Sequence, residues 1–288
     1  MRKIRPFLFV FFICMSLTFA QRDFSEVDIT SEKLTENVYV LFGAGGNIGL
    51  AIGEDAAYLI DDQFGPLTEK IVAHVQTITD KPINFVLNTH VHGDHTGGNE
   101  NLANAGAMII AHENVRKRMV EADEPRPQEA WPVVTFNDKM TLYLDNGKSV
   151  HAMHVNPAHT DGDTYYYFPQ DNVIHMGDNF FSGRYPYIDL GSGGDIDGLI
   201  SNTTMALELI DEETKIIPGH GSVSSKTDLK EYTDILTTLK ERIIAARSDG
   251  KSLEEVQKMG ISKEWDETHG QGFINADRIV EFIYKSAD

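Results

Sequence analysis

The stretch Asn88-Thr89-His90-Val91-His92-Gly93-Asp94-His95-Thr96-Gly97-Gly98 concentrates metal-binding side chains in a 288-residue chain. It reads His-x-His-x-Asp-His and follows the apolar run Phe85-Val86-Leu87. In extended backbone, residues i and i+2 point the same way, so His90 and His92 can share one metal ion. Gly93 permits a sharp turn that swings Asp94 and His95 toward a second ion. The competing reading is a chance cluster, and the rarity of such a hexapeptide in a chain with 11 histidines weighs against it.

Two ions with four or five protein ligands each need more than these four side chains. Three further candidates follow strand-like runs: His159 in Asn156-Pro157-Ala158-His159-Thr160-Asp161-Gly162, Asp178 after Val173–Met176 and Gly177, and His220 in Pro218-Gly219-His220-Gly221. Strand ends along one sheet edge converge in space, so distant residues can close on one site.

The elements that would position them alternate along the chain. Short strands are expected at Val38–Phe42, Ile48–Ile52 and Ala56–Ile60, then a helix at Leu67–Gln76, the buried strand Phe85–Asn88, a helix at Asn99–Ala105, the strand Met108–Ala111 and a helix at Glu113–Glu121. After the loop Glu124–Pro132 come strands at Val133–Phe136, Met140–Leu144, Val150–Val155, Thr164–Phe168 and Val173–Met176. A helix at Ile196–Leu209, the strand Lys215–Ile217 and a long helix from Ser225 to Ala246 follow, with helical tail segments at Ser252–Met259 and Asn275–Ala287. This pattern implies one α/β domain of two similar halves: two mixed β-sheets packed face to face and covered by helices, a four-layer αββα sandwich. The Gly-rich run Gly43–Gly49 precedes the strand-like Leu50-Ala51-Ile52 and opens no helix, so it reads as a mobile β-hairpin tip and not a dinucleotide loop.

Charge and processing narrow the function. The chain has 44 acidic and 25 basic residues, a net charge of −19, and one cysteine. Residues 1–20 open with Arg2, Lys3 and Arg5, continue through an uncharged run from Phe7 to Ala20, and read as a secretory signal peptide; residues 21–288 form the single domain. The run is too short for the roughly 20 residues of a spanning helix. Cys14 lies within it, preceded by Phe11-Phe12-Ile13 and not by the small residue expected before a lipidated cysteine, so no stable membrane anchor is expected after signal removal. The mature chain then has no thiol and a charge of −22, since three basic residues leave with the signal. That acidity disfavours nucleic-acid partners, a nuclease included. The sequence sets no oligomeric state.

The ordered set His-x-His-x-Asp-His, His159, Gly177-Asp178 and Gly219-His220 resembles that of the metallo-β-lactamase superfamily, and the likeness spans nearly all of residues 35–222. The resemblance implies two Zn²⁺ per chain, with Fe or Mn as other possible occupants: His90, His92 and His159 on the first, Asp94, His95 and His220 on the second, and Asp178 bridging both. Zinc β-lactamases with a three-histidine first site usually have Cys where this chain has Asp178, or use a non-bridging residue there. The Asp bridge with His95 is instead similar to the ligand set of glyoxalase II and of lactonase and esterase members. Asp61 matches a family aspartate that hydrogen-bonds the metal loop; a turn-starting Asp is the plainer alternative.

With two Zn²⁺, two aspartates and a bridging hydroxide, the centre would be locally positive inside a negative protein. Metal lowers the pKa of bound water toward neutrality and polarises a carbonyl. Asp94 is the candidate catalytic residue, orienting the hydroxide and exchanging a proton. The loop after Asp178 supplies a candidate substrate wall in Phe180, Phe181, Arg184 and Tyr187. Arg184 either meets a substrate carboxylate or bridges to Asp189 or Asp195. His175 falls on the opposite strand face, and His74, His112, His151, His154 and His269 lack companions at ligand spacing.

The resulting expectation is an exported, periplasmic or secreted zinc hydrolase that attacks a β-lactam, lactone or ester carbonyl of a small-molecule substrate. A glyoxalase II-like thioesterase is the alternative, set second because export suits it poorly and the tail after Ser222 shows no basic cluster for glutathione. A non-catalytic metal- or partner-binding module is the alternative of another class.

Overall fold

A computed structural model describes residues 23–145 and 147–287; the expected signal segment lies outside them. Seven strands form the first sheet in sequential order: β1 (Thr30–Lys33), β2 (Val38–Phe42), β3 (Ile48–Ile52), β4 (Ala57–Ile60), β5 (Ile83–Leu87), β6 (Met108–His112) and β7 (Val134–Phe136). Its first four strands run antiparallel, and the pairs from β4 to β7 are parallel. Five strands form the second sheet: β8 (Lys139–Asp145), β9 (Lys148–His154), β10 (Thr164–Phe168), β11 (Val173–Phe181) and β12 (Lys215–His220), in the order β12-β11-β10-β9-β8. Only its β11–β12 pair is parallel. Both sheets are therefore mixed, as expected. The described helices are α1 (Thr68–Ile78), α2 (Gly93–Thr96), α3 (Asn99–Asn104), α4 (Glu113–Glu121), α5 (Ile196–Leu209), α6 (Lys226–Ser248), α7 (Leu253–Lys258), α8 (Asp266–His269) and α9 (Ala276–Ser286).

Strand alternation builds the four layers. In β4, Tyr58 and Ile60 join Val40, Leu87, Ala152, Tyr166, Phe168 and Ile217 in the core between the sheets, whereas Ala57 and Leu59 face outward and pack with Leu67, Ile71 and Val75 of the α1 region. The second sheet repeats the pattern: Ile174, Met176 and Ile216 pack against Leu199 of α5, Leu236 and Leu239 of α6 and Ile279 of α9. A strand buried on both faces must be apolar at almost every position, which explains the unbroken run Ala57–Ile60 in β4. The order is helix, sheet, sheet, helix: the αββα sandwich. No helix among the described residues is long and apolar enough to cross a membrane.

Two departures from the sequence reading bear on the site. Strand β11 does not stop at Met176 but continues to Phe181, with a break in register at Gly177, which adopts φ +52°. Glycine takes that left-handed backbone without steric cost, and its Cα lies against Thr89 where a side chain would clash. The bulge redirects Asp178 while the strand goes on. The Gly-rich run is indeed the β2–β3 hairpin tip, but it is tied down: Gly46 N donates to Asp94 O (3.0 Å), Asn47 N to Gly219 O (2.7 Å), and Gln63 Nε2 to Gly46 O (2.7 Å). A methyl group at Gly46 would collide with the His95 ring, so the hairpin approaches the candidate ligands as only glycine can.

Candidate metal centre

The seven candidate ligands converge at one edge of the sandwich. His90 and His92 leave the end of β5, Asp94 and His95 ride on the short helix α2, His159 lies between β9 and β10, Asp178 sits past the Gly177 bulge, and His220 ends β12. The turn after His92 is made by a change from extended (φ −65°, ψ 150°) to helical backbone, and Gly93 is not in the left-handed region. It is therefore helix initiation that moves Asp94 and His95 away from His90 and His92. The side chains fall into two metal-ligand groups, His90, His92, His159 and Asp178 in one and Asp94, His95 and His220 in the other. Asp178 stands between them: Oδ2 is 3.3 Å from His159 Nε2 and 3.8 Å from His90 Nε2, and Oδ1 is 3.1 Å from His95 Nε2 and 3.5 Å from His220 Nε2. This is the arrangement of a carboxylate shared by two ions.

The outer hydrogen bonds fix which nitrogen each ring presents. His95 Nδ1 donates to Asp61 Oδ2 (2.7 Å), His159 Nδ1 to Tyr187 O (2.7 Å) and His92 Nε2 to Asp189 Oδ2 (2.8 Å). Thr89 Oγ1 donates to Asp61 Oδ2 (2.7 Å) and so accepts from His90 Nδ1 (2.9 Å). In the neutral rings the inward nitrogens then carry lone pairs. His92 Nδ1 lies 2.8 Å from His159 Nε2, and His95 Nε2 lies 3.3 Å from His220 Nε2. Buried His90 Nε2 and Asp178 Oδ1 have no hydrogen-bond partner among the described residues. Such orphaned groups cost about 1–3 kcal/mol each. Facing lone pairs and orphaned acceptors are what cations satisfy, so the residues present fit two metal ions.

The protein charges alone already shape this centre. Burial would push His95 toward neutrality, but Asp178, Asp94 and Asp61 outweigh it and hold its pKa well above the ordinary value. His220 is opposed by burial too, and Asp178 and Asp94 raise it to about 9. Burial depresses His90, with the His95 charge adding to it, and lowers His159 to about 4. Burial would raise Asp94, yet His95 and a hydrogen bond from His220 bring it down to about 2. Asp178 is held ionised against its burial by His95, His220, His159 and His90.

Asp61 hydrogen-bonds the segment that carries the histidine motif. Fully buried, it accepts from Thr89 N, Thr89 Oγ1 and His95 Nδ1, and it adopts φ 65°, a strained backbone that the fold maintains at this point. A cavity of about 670 Å³ opens over the ligands, bordered by Phe181, Arg184 and Tyr187 together with Phe64, Phe273 and Arg278. Phe180 does not belong to this wall. Strand alternation turns it inward, where it packs edge-to-face on Tyr232 in the helix-covered core. Neither alternative carboxylate holds Arg184: Asp189 is engaged by His92, and Asp195 caps α5 through Gly198 N. His175 is buried and hydrogen-bonds Asn47 O, and His74, His112, His151, His154 and His269 stand in neither ligand group.

Sequence reasoning missed Asp163 and assigned Asp189 no part at the centre. Asp163 accepts from His159 N, Thr160 N, Thr160 Oγ1 and Asn179 Nδ2, which shapes the loop that presents His159; burial raises its pKa to about 6 against those hydrogen bonds. The signal was the Thr160-x-x-Asp163 turn. Asp189, 97 residues from His92, left no local trace.

The metallo-beta-lactamase superfamily model matches residues 41–223, so the chain belongs to that superfamily. Similar sequences include the hydroxyacylglutathione hydrolases of Pelagibacter ubique (31% identical; 51% of this chain, 56% of that protein) and Nitrosococcus oceani (30% identical; 48% of each). The chain thus spans about half the length of these curated relatives. Among solved structures, a metallo-beta-lactamase from Pontibacter korlensis aligns with a TM-score of 0.63 at 18% identity, covering 73% of this chain and 99% of that one. A stereoselective inverting sec-alkylsulfatase from Pseudomonas sp. aligns at 0.73 and 16% identity, covering 91% and 50%. At these identities the structural likenesses speak for the fold alone.

Metal binding must displace the protons that Asp178 and its neighbours hold on His95 and His220. Because both pKa values are raised, zinc loading at pH 7 should release protons, and apparent affinity should climb with pH until His220 is neutral above about pH 9. Calorimetric titration of the metal-free protein in buffers of different ionisation enthalpy measures this; proton-neutral binding at pH 7 would contradict the electrostatics.

Proposed function

We propose that the chain is a binuclear zinc hydrolase of acyl bonds whose preferred small-molecule substrate is an acyl thioester, of the hydroxyacylglutathione class named for its sequence relatives. The observation that carries the hydrolytic reading is the Asp178 carboxylate set between two histidine-rich groups, with orphaned nitrogen and oxygen atoms facing inward. The relatives' names favour the thioester over the β-lactam, lactone and ester substrates that the sequence reading put first. One objection to a thioester also weakens. The tail after Ser222 has no basic cluster in sequence, yet α9 brings Arg278 to the cavity that Arg184 also borders.

Bound zinc would supply a Lewis acid and lower the pKa of water to about 7. The chain's residues do the rest. Asp94, 30% exposed at the cavity, is kept as a carboxylate and can accept a proton from the attacking water and return it to the departing sulfur. His92 and His159 are held rigid by Asp189 and by Tyr187 O, which keeps the reaction geometry from drifting. Apart from the ligands, the charged residues bordering the cavity are Arg184 and Arg278, suited to an anionic substrate, while Phe64, Phe181, Tyr187 and Phe273 offer an apolar surface.

The proposal includes export to the periplasm or secretion, supported by the basic start at Arg2-Lys3 and the uncharged run ending at Ala20. N-terminal sequencing of the product from its native host should begin at Gln21; an intact Met1 would refute export by cleavage. For the chemistry, the zinc-loaded protein is assayed on lactoylglutathione, a chromogenic cephalosporin, homoserine lactones and aryl esters. The thioester should give the highest kcat/KM, and Asp94→Asn should lower kcat by roughly 10²–10⁴-fold. Preference for a lactone or cephalosporin would overturn the thioester assignment, and no turnover of any carbonyl substrate would favour the non-catalytic module.

A further inference from the structure

Arg126 lies in the loop between α4 and β7, with its backbone fixed at both faces: its N–H donates to Met119 O (3.3 Å), and its carbonyl accepts from Trp131 Nε1 (2.9 Å). The side chain reaches under the metal loop. Nη1 donates to Thr96 O (3.1 Å) and Thr96 Oγ1 (2.6 Å), and Nη2 donates to Val91 O (3.1 Å). Thr96 Oγ1 in turn donates to His92 O (2.9 Å). The guanidinium therefore joins the two ends of the segment Val91–Thr96, which contains His92, Asp94 and His95. A planar fork with several fixed donors can hold two carbonyls at once, as a lysine ammonium cannot with the same rigidity.

The ligands differ in how much they depend on that clasp. His90, His92, His95 and His159 each have a partner outside the cluster: Thr89, Asp189, Asp61 and the Tyr187 carbonyl. Among the described residues, no group outside the cluster hydrogen-bonds the Asp94 carboxylate, which meets only His95 and His220. Its position is set by its backbone, which Gly46 N holds at the Asp94 carbonyl and Arg126 clasps at both ends of the segment. The guanidinium is largely buried and forms no ion pair with a carboxylate of the described residues; burial lowers its pKa, and the more distant charges of Asp62 and Asp94 act against that, while its hydrogen bonds go to the loop.

We propose that Arg126 is a positioning residue that holds Asp94 in place and thereby sets the metal affinity of the Asp94–His95–His220 group selectively over that of the His90–His92–His159 group. The inference rests on the binuclear reading of the centre. It assigns a role to a residue 30 positions from Thr96, in a loop that the strand-and-helix pattern leaves blank.

The test is zinc titration of the metal-free full-length mature chain against a chromophoric chelator, comparing wild type with Arg126→Met and Arg126→Lys. An open cavity of about 440 Å³ beside Arg126 gives the substituted side chains room. Asp94→Asn identifies which of the two zinc affinities belongs to the Asp94 group. Arg126→Met should weaken that same affinity by about 10-fold or more and leave the other nearly unchanged, with Arg126→Lys in between. Equal weakening of both sites, as from a general loss of structure, or no change in either, would overturn the proposal. Should Arg126→Met fail to fold, the Lys variant decides by the same selectivity. Wild-type protein that binds fewer than two zinc ions would remove the binuclear reading itself, an outcome distinct from two ions bound without any dependence on Arg126.

Discussion

Around the Asp178 carboxylate, histidine rings from three separate segments, the His90–His95 motif, His159 and His220, turn nitrogens toward one another at the foot of the cavity. Protein groups on the outside enforce that orientation in four of the rings: Asp61, Asp189, the Tyr187 carbonyl and Thr89 each accept the hydrogen bond of the outer nitrogen, so that in the neutral ring the inward nitrogen carries no proton. Left to themselves, such nitrogens repel, and the buried acceptors among them go unsatisfied. Protons on His95 and His220 are one answer and metal ions are the other. The competition between them makes the site electrostatically tuned and not merely a cluster of side chains.

The two sheets exist, for function, to bring those segments together. Strand β5 delivers the histidine motif, β11 delivers Asp178 through a bulge, and β12 delivers His220, while the β2–β3 hairpin closes over the top with Gly46 against His95. Inter-sheet packing of Ile60, Leu87, Tyr166 and Ile217 fixes the spacing between the halves, and Tyr166 OH donates across it to Asn88 O (2.9 Å), just before the motif. The strain at Asp61 and the bulge at Gly177 are local costs offset by this large shared core.

Much of this was legible in the residues. Binary patterning marked nearly every long element, because strands buried on both faces and helices buried on one have different apolar periods. The seven candidate ligands that the fold brings together stood out because the His-x-His-x-Asp-His spacing and the positions of His159, Asp178 and His220 after strand-like runs are local features. What escaped had other causes. Strand β1 is exposed throughout and carries no apolar alternation, so nothing in Thr30–Lys33 announced it. Phe180 was misplaced because β11 continues past its apolar run, and a strand residue adjacent to a wall residue must face the other way. Asp189 and Arg278 act over long sequence separations, and only the folded chain shows where their side chains arrive.

The arrangement of both histidine groups about Asp178 calls for two metal ions that share its carboxylate. Anomalous diffraction at the zinc absorption edge, from crystals of the zinc-loaded protein, tests it most directly. Two peaks per chain are expected, one on the His90–His92–His159 side of the Asp178 carboxylate and one on the Asp94–His95–His220 side. A single peak, or two peaks that do not flank Asp178, would contradict it.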